Sequence, residues 1–187
     1  MNFHVITNAD TVIGRVVARE LAQQKRNLIL LGENITELEE LKRLIKLQYF
    51  VHIHILGLTQ PNRARIIELC DFINDLFFVE SLVDIVPDDD NAVLPELIIS
   101  KLDQQLTADL VLPLLVIHQL LPNLMLCAES KWIRVMSNDH SLSFETYLFS
   151  ETGGLFKCKT CVLTNDYAVG SERKCSLPDI MSMISSC

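Results

Sequence analysis

Phe3-His4-Val5-Ile6-Thr7 and Leu28-Ile29-Leu30-Leu31 are two short apolar runs near the start of the chain, and what lies between them decides the fold. Asn8-Ala9-Asp10-Thr11 is a polar turn. From Val12 to about Gln24 the pattern is helical, with Val12, Val16, Val17 and Leu21 recurring at the spacing of one face, so these are expected to face a sheet. Leu28 to Leu31 is continuously apolar, as a parallel strand buried on both faces must be. A strand, a turn, a helix and a second strand make a crossover unit, the connection that two parallel strands need. The turn after the first strand is where such a unit offers helix N-terminal N–H groups to a phosphate.

The same rhythm continues down the chain. Thr36 with Glu39 three residues on predicts a capped second helix with Leu38, Leu41, Leu44 and Ile45 inward. Tyr49 to Leu56 reads as a third strand in the middle of the sheet, with His52 and His54 packed between apolar neighbours. Ala64 to Asp75 reads as a helix burying Ile66, Ile67, Cys70 and Ile73, and Leu82 to Val86 as a fourth strand. Pro95 opens a long helix to about Met125, with a kink or break expected at Pro113, which lacks a backbone donor. Trp132 to Met136 is a fifth strand, Phe144 to Phe156 an interrupted helix, Thr160 to Leu163 a sixth strand, and Leu177 to Ile184 a last helical turn or two. Strands alternating with helices imply an α/β fold with a doubly wound, mainly parallel Rossmann-type sheet and helices on both faces. The expected strand order is 3-2-1-4-5-6, with the ligand crevice at the switch point.

Composition narrows the function. The 187 residues suffice for one domain with a sizeable core, taken as residues 1–187. A formal net charge of −8 argues against a nucleic-acid partner, which needs a basic stripe. Leu110 to Leu121, the longest apolar stretch, is too short to span a bilayer. With no basic and apolar leader at the start, the six cysteines are expected to be free thiols and the protein cytoplasmic.

The first turn and second strand resemble the short-chain dehydrogenase/reductase family. That family's turn reads Thr-Gly-x-x-x-Gly-x-Gly. In Thr7-Asn8-Ala9-Asp10-Thr11-Val12-Ile13-Gly14, Thr7 and Gly14 match, while Asn8 and Val12 replace glycines. Leu31-Gly32-Glu33-Asn34 resembles the family's second-strand ending, with Glu33 for its Arg. The resemblance implies cofactor-binding positions at Thr7, Asn8, Thr11, Ile13, Gly14 and Glu33. Asn8 tolerates a left-handed conformation; Val12 is β-branched where a dinucleotide would run, and Asp10 adds charge beside its phosphates. The cofactor implied is NAD or NADP, with NAD favoured because Glu33 repels a 2′-phosphate; the alternative is a plain strand–helix turn that binds neither.

Other family positions depart from the pattern. Gly57 stands for an Asp that touches adenine, and Asp84-Ile85-Val86-Pro87 stands for Asn-Asn-Ala-Gly, whose hydrogen bonds it is not expected to reproduce. The catalytic Asn, Ser, Tyr and Lys become Gln105, Ser137, Tyr147 and Glu151. Ser137 and Tyr147 are therefore the catalytic candidates. A glutamate near the phenol opposes proton donation, since it strengthens the hold on the proton. Residues 137–187 are shorter than the family's substrate-binding part. The resemblance implies two outcomes: a weakly active or non-catalytic relative, or an active NAD(P)-dependent oxidoreductase using Ser137 and Tyr147 on a carbonyl or alcohol. It also implies a homodimer through the Pro95–Met125 helix.

Remaining motifs carry less. Cys158-Lys159-Thr160-Cys161 is one CxxC, with Cys175 and His140 near in sequence; a zinc ribbon shows two such pairs, so reduced thiols on a strand are the plainer reading and no metal is expected. Asp88-Asp89-Asp90 lacks the spaced ligands of a calcium loop.

Overall fold

The computed structural model describes residues 1–59, 62–86, 107, 111–128 and 130–136, and the strand 157–162. Among the described residues six strands form one sheet: β1 (Asn2–Ile6), β2 (Asn27–Gly32), β3 (Ile53–Gly57), β4 (Phe78–Ile85), β5 (Lys131–Met136) and β6 (Lys157–Val162). Between them run α1 (Val12–Gln23), α2 (Ile35–Gln48), α3 (Arg63–Leu76) and α4 (Leu112–Leu124). The order is β3-β2-β1-β4-β5-β6, and every pairing is parallel. This is the order expected from the alternation of elements. The chain reverses direction of travel between β1 and β4, so the crevice of the fold opens there.

Period-two alternation divides the core into two layers. Ile6, Leu28, Leu30, Val83, Ile85, Ile133 and Val135 face one way, onto Val17, Ala18 and Leu21 of α1 and Leu38, Leu41 and Ile45 of α2. Phe3, Val5, Ile29, Leu31, Leu82 and Trp132 face the other way, onto Ile66, Cys70 and Ile73 of α3 and Val116, Ile117, Leu120 and Leu124 of α4. Helices thus cover both faces, as a parallel sheet requires. Asn123 pins α4 to the sheet: its Oδ1 accepts from Val79 N at 2.9 Å and its Nδ2 donates to Phe77 O at 2.7 Å.

Several expectations are corrected. Val12 does not face the sheet; it is 81% exposed, because α1 begins there and its inward face starts at Gly14. The α2 cap is Asn34, whose side chain accepts from Glu37 N, and not Thr36. Tyr49 ends α2 and Phe50 is fully exposed, so β3 starts at Ile53. β3 is an edge strand and not a central one, which leaves His52 and His54 exposed; His54 leans on the Phe77 ring at 4.6 Å. In α3, Leu69 is buried and Ile67 is turned out. The interruption expected at Pro113 is met: α4 begins at Leu112 with Pro113 in its first turn, and the backbone at Thr107 and Val111 ahead of it has the wider π-type turn. Residues 95–106 of the expected long helix lie outside the described residues.

Candidate functional site

The β1–α1 turn sits at the C-terminal end of β1, beside the switch point. Its conformation follows from four residues. Thr7 is buried; its hydroxyl donates to Asp84 Oδ1 at 2.9 Å and accepts from Ile85 N at 3.0 Å, tying the end of β1 to the end of β4. Asn8 has φ 47°, the left-handed region that a glycine fills most easily and Asn tolerates. Its side chain donates to Ile85 O at 2.6 Å, which holds that conformation in place. Thr11 is the N-cap of α1: its hydroxyl accepts from Gly14 N at 3.1 Å and donates to Asn8 O at 2.7 Å.

Gly14 sets how closely helix and turn approach. A Cβ there would stand 2.7 Å from Ala9 Cα and nearer still to the Asn8 carbonyl oxygen, both backbone atoms. The first turn of α1 therefore lies directly against the loop, with Ile13 half-buried. This is the close helix–strand packing that dinucleotide-binding turns use, and the N–H groups of Val12 and Ile13 at the start of α1 have no helical carbonyl one turn back. The backbone thus fits a phosphate. Val12 projects into solvent at the rim, so it narrows the approach without filling the turn. Val86 is half-buried just past the end of β4, and Pro87 lies outside the described residues.

Asp10 behaves differently from the sequence expectation. Its carboxylate is turned toward the exit of β2, where Oδ2 accepts from Glu33 N at 3.0 Å and Asn34 N at 2.8 Å. Gly32 makes room for it: a Cβ at Gly32 would meet Asp10 Cγ at 2.7 Å. Arg15 braces the same corner, donating from Nε to Asp10 O at 3.0 Å and pairing its terminal nitrogen with Glu37. Glu33 itself is exposed at the exit of β2. Gly57 lies at the exit of β3, where a Cβ would meet the end of the Ile35 side chain at the start of α2.

Below the crevice runs a row of buried polar groups that the sequence reading missed. Asp84 was grouped with residues unable to replace Asn-Asn-Ala-Gly. In the structure it holds Thr7 and lies 3.6 Å from Arg134 Nε, its register partner on β5, with both side chains buried. Asp84 thus links β4 to β1 by a hydrogen bond and to β5 by an ionic contact. An Asp on β4 and an Arg on β5 were visible in the sequence, but only strand register brings them opposite each other.

A second row crosses the opposite end of the sheet. His4 Nδ1 is 2.7 Å from Ser81 Oγ, and Lys131 is in register with Ser81. Burial pushes the His4 imidazole down to about 4, partly opposed by Glu80, whose carboxylate is 4.0 Å away and also pairs with Arg26. His4 is therefore a neutral core residue. Burial likewise pushes the Cys70 thiol up to about 12, with Asp71 adding to the effect.

Of the cofactor-binding candidates, the structure brings Thr7, Asn8, Thr11, Ile13 and Gly14 into one turn and sets Glu33 across from it, linked through Asp10. Ser137, Tyr147, Gln105 and Glu151 lie outside the described residues, as do Asp88, Asp89 and Asp90. Cys158 and Cys161 fall on β6. Among the described residues no three His, Cys, Asp or Glu side chains are grouped to hold a metal ion, and no helix is long and apolar enough to cross a membrane.

No family model matches the chain. Over 74 residues it is 34% identical to a very-long-chain 3-oxoacyl-CoA reductase of Vanderwaltozyma polyspora, a match covering 37% of this chain and 21% of that protein. The chain thus matches about a fifth of that relative's length. Among solved structures, an alcohol dehydrogenase from Thermococcus sibiricus, complexed with 5-hydroxy-NADP, superposes with a TM-score of 0.75 at 15% identity, covering 98% of this chain and 88% of the other. A metagenomic short-chain oxidoreductase in complex with NADP gives 0.70 at 15% identity, covering 99% and 88%. L-Sorbose reductase from Gluconobacter frateurii, complexed with NADPH and L-sorbose, gives 0.73 at 16% identity, covering 87% and 67%.

Proposed function

On the premise that this chain carries the short-chain dehydrogenase/reductase fold, we propose that it binds a nicotinamide adenine dinucleotide at the β1–α1 turn, NAD(H) in preference to NADP(H), and is at most a feeble reductase. The observation that carries this reading is the turn itself. Two of its family glycines are gone, yet Asn8 reproduces the left-handed residue, Thr11 caps the helix and Gly14 keeps the close approach. When bound, the cofactor supplies a hydride donor or acceptor. The chain's own residues do the rest: the first turn of α1 holds the phosphates, and Glu33 accepts from the adenosine ribose hydroxyls.

The catalytic side is depleted in this reading. Ser137 and Tyr147 would hold the carbonyl oxygen and supply its proton. Glu151 stands where a lysine would have eased that proton away, and Gln105 where an asparagine would have been. A homodimer through residues 95–125 belongs to the same proposal, and sedimentation of the purified protein tests it.

A second reading, an active NAD(P)-dependent oxidoreductase on a carbonyl or alcohol, draws support from the 34% identity to a 3-oxoacyl-CoA reductase over 74 residues. One experiment separates the two. NADH affinity is measured by calorimetry, then NADH oxidation is followed across a panel of ketones and 3-oxoacyl thioesters with the wild type, Ser137→Ala and Tyr147→Phe. Binding with turnover at background in all three supports the first reading. Turnover that both substitutions abolish supports the second, and absence of binding refutes both.

A further inference from the structure

The β1–α1 turn carries an anion of its own. Asp10 reaches across to the exit of β2, where its Oδ2 takes two consecutive N–H groups, Glu33 at 3.0 Å and Asn34 at 2.8 Å. The partners are 23 and 24 residues away in sequence, so this is a tertiary clasp and not a local turn bond. Gly32 is shaped to it, since a side chain there would occupy the space of the carboxylate. In dinucleotide folds a group about 20 residues beyond the glycine turn meets the 2′ position of the adenosine ribose, and Glu33 stands at that remove from Gly14. Two converging N–H groups ahead of a helix are what a phosphate oxygen takes. Here the carboxylate has taken both.

We infer that Asp10 is a specificity residue: a built-in anion that occupies the amides a 2′-phosphate would use and repels that phosphate, so that the chain accepts NAD(H) and rejects NADP(H). This rests on the dinucleotide reading above and deepens it. The surrounding charge acts in the same direction. Among the described residues no cation pairs with the Asp10 carboxylate; Arg15 gives its Nε to the Asp10 carbonyl and its terminal nitrogen to Glu37. Asp10, Glu33 and Glu37 thus set three carboxylates against one guanidinium at this corner. A 2′-phosphate brings up to two further negative charges and finds the amide pair taken by Asp10 and Arg15 engaged with Asp10 O and Glu37.

Asp10→Asn keeps an oxygen acceptor for the two amides and removes the charge. Asp10→Ser removes the charge and is too short to hold both amides. NADH and NADPH affinities are measured by calorimetry for both variants, the wild type and Glu33→Gln, with ligand-free melting curves alongside. The expected result is an NADPH Kd lowered about tenfold or more in Asp10→Ser, the worth of about one charge-assisted hydrogen bond regained. Asp10→Asn falls between it and the wild type, and NADH affinity stays within about threefold in both Asp10 variants.

A merely structural clasp would lower the melting temperature and weaken both ligands together, leaving their ratio unchanged; that result overturns the inference. So does a ratio that Glu33→Gln moves as far as Asp10→Ser. If Asp10→Ser does not fold, the Asp10→Asn ratio decides alone. If no protein binds either dinucleotide, the dinucleotide reading is at fault. Adenosine 2′,5′-bisphosphate then decides separately: a raised melting temperature in Asp10→Ser and not in the wild type upholds the built-in anion, and no rise in either refutes it.

Discussion

Gly14→Ala sets two physical effects against each other with opposite signs. Alanine is the better helix former, and in an open helix the exchange would stabilise by about 1 kcal/mol. Gly14 is not open. Its added Cβ would lie 2.7 Å from Ala9 Cα and nearer still to the Asn8 carbonyl oxygen. Both obstacles are backbone, so the contact cannot be relieved by a side-chain rotation; α1 must move away from the turn or the turn must open. Overpacking of this kind costs about 1–3 kcal/mol, and rigid backbone on both sides puts this site at the upper end. The net expectation is a destabilisation of about 1–2 kcal/mol despite the better propensity. Movement of α1 also breaks the Thr11 cap on Gly14 N and displaces the amides offered to a phosphate. Urea unfolding of wild type and variant reads the first effect, and NADH titration the second, with at least a tenfold loss expected. A variant as stable as the wild type, or more stable, would mean that the helix does not rest against the turn, and the argument for a retained phosphate cradle would fail.

Three further outcomes follow from buried groups. His4 is neutral when folded, with its pKa lowered to about 4 from 6.5. The unfolded chain therefore binds a proton that the native chain refuses between those values, and stability is lost as pH falls from 6.5 to about 4, by about 3 kcal/mol in all; urea unfolding of His4→Gln should show that much less pH dependence, and equal slopes would refute the assignment. Asp84→Ala leaves Arg134 buried without its carboxylate and should cost about 3–5 kcal/mol, with Asp84→Asn milder because it keeps an oxygen for Thr7; equal losses in the two would locate the effect elsewhere. Cys70, with its thiol pushed up to about 12, should resist alkylation at pH 8 until the protein unfolds, which mass spectrometry of native and urea-treated protein reads directly.

The sheet order was legible because strand–helix alternation leaves few topologies for a parallel sheet, and right-handed crossovers select among them. Leu28 to Leu31 was identified as buried because a two-sided strand needs no alternation. Boundaries were less legible. Phe50 reads as strand by propensity, but α2 runs on to Gln48 and leaves it in solvent. Val12 fits the apolar period of α1, yet a helix's first residue projects beyond the surface that its later turns cover. The candidate turn was found from Thr7 and Gly14, and the tolerance of Asn8 for φ above zero was anticipated and is met. What spacing could not convey was direction. Asp10 read as a charge beside phosphates, but its carboxylate crosses to Glu33 and Asn34 because Gly32 leaves it space. Asp84 read as a lost asparagine, but Arg134 opposite and Thr7 alongside give it partners.

The central claim is that the β1–α1 turn still binds a dinucleotide, and amide chemical shifts of labelled protein titrated with NADH test it at the residues concerned. The account predicts saturable shifts that are largest at Val12, Ile13, Gly14 and Glu33, with Phe50 and His52 at the far edge unmoved. Titration to millimolar NADH with those four amides unchanged would contradict it and leave a dehydrogenase fold without its cofactor.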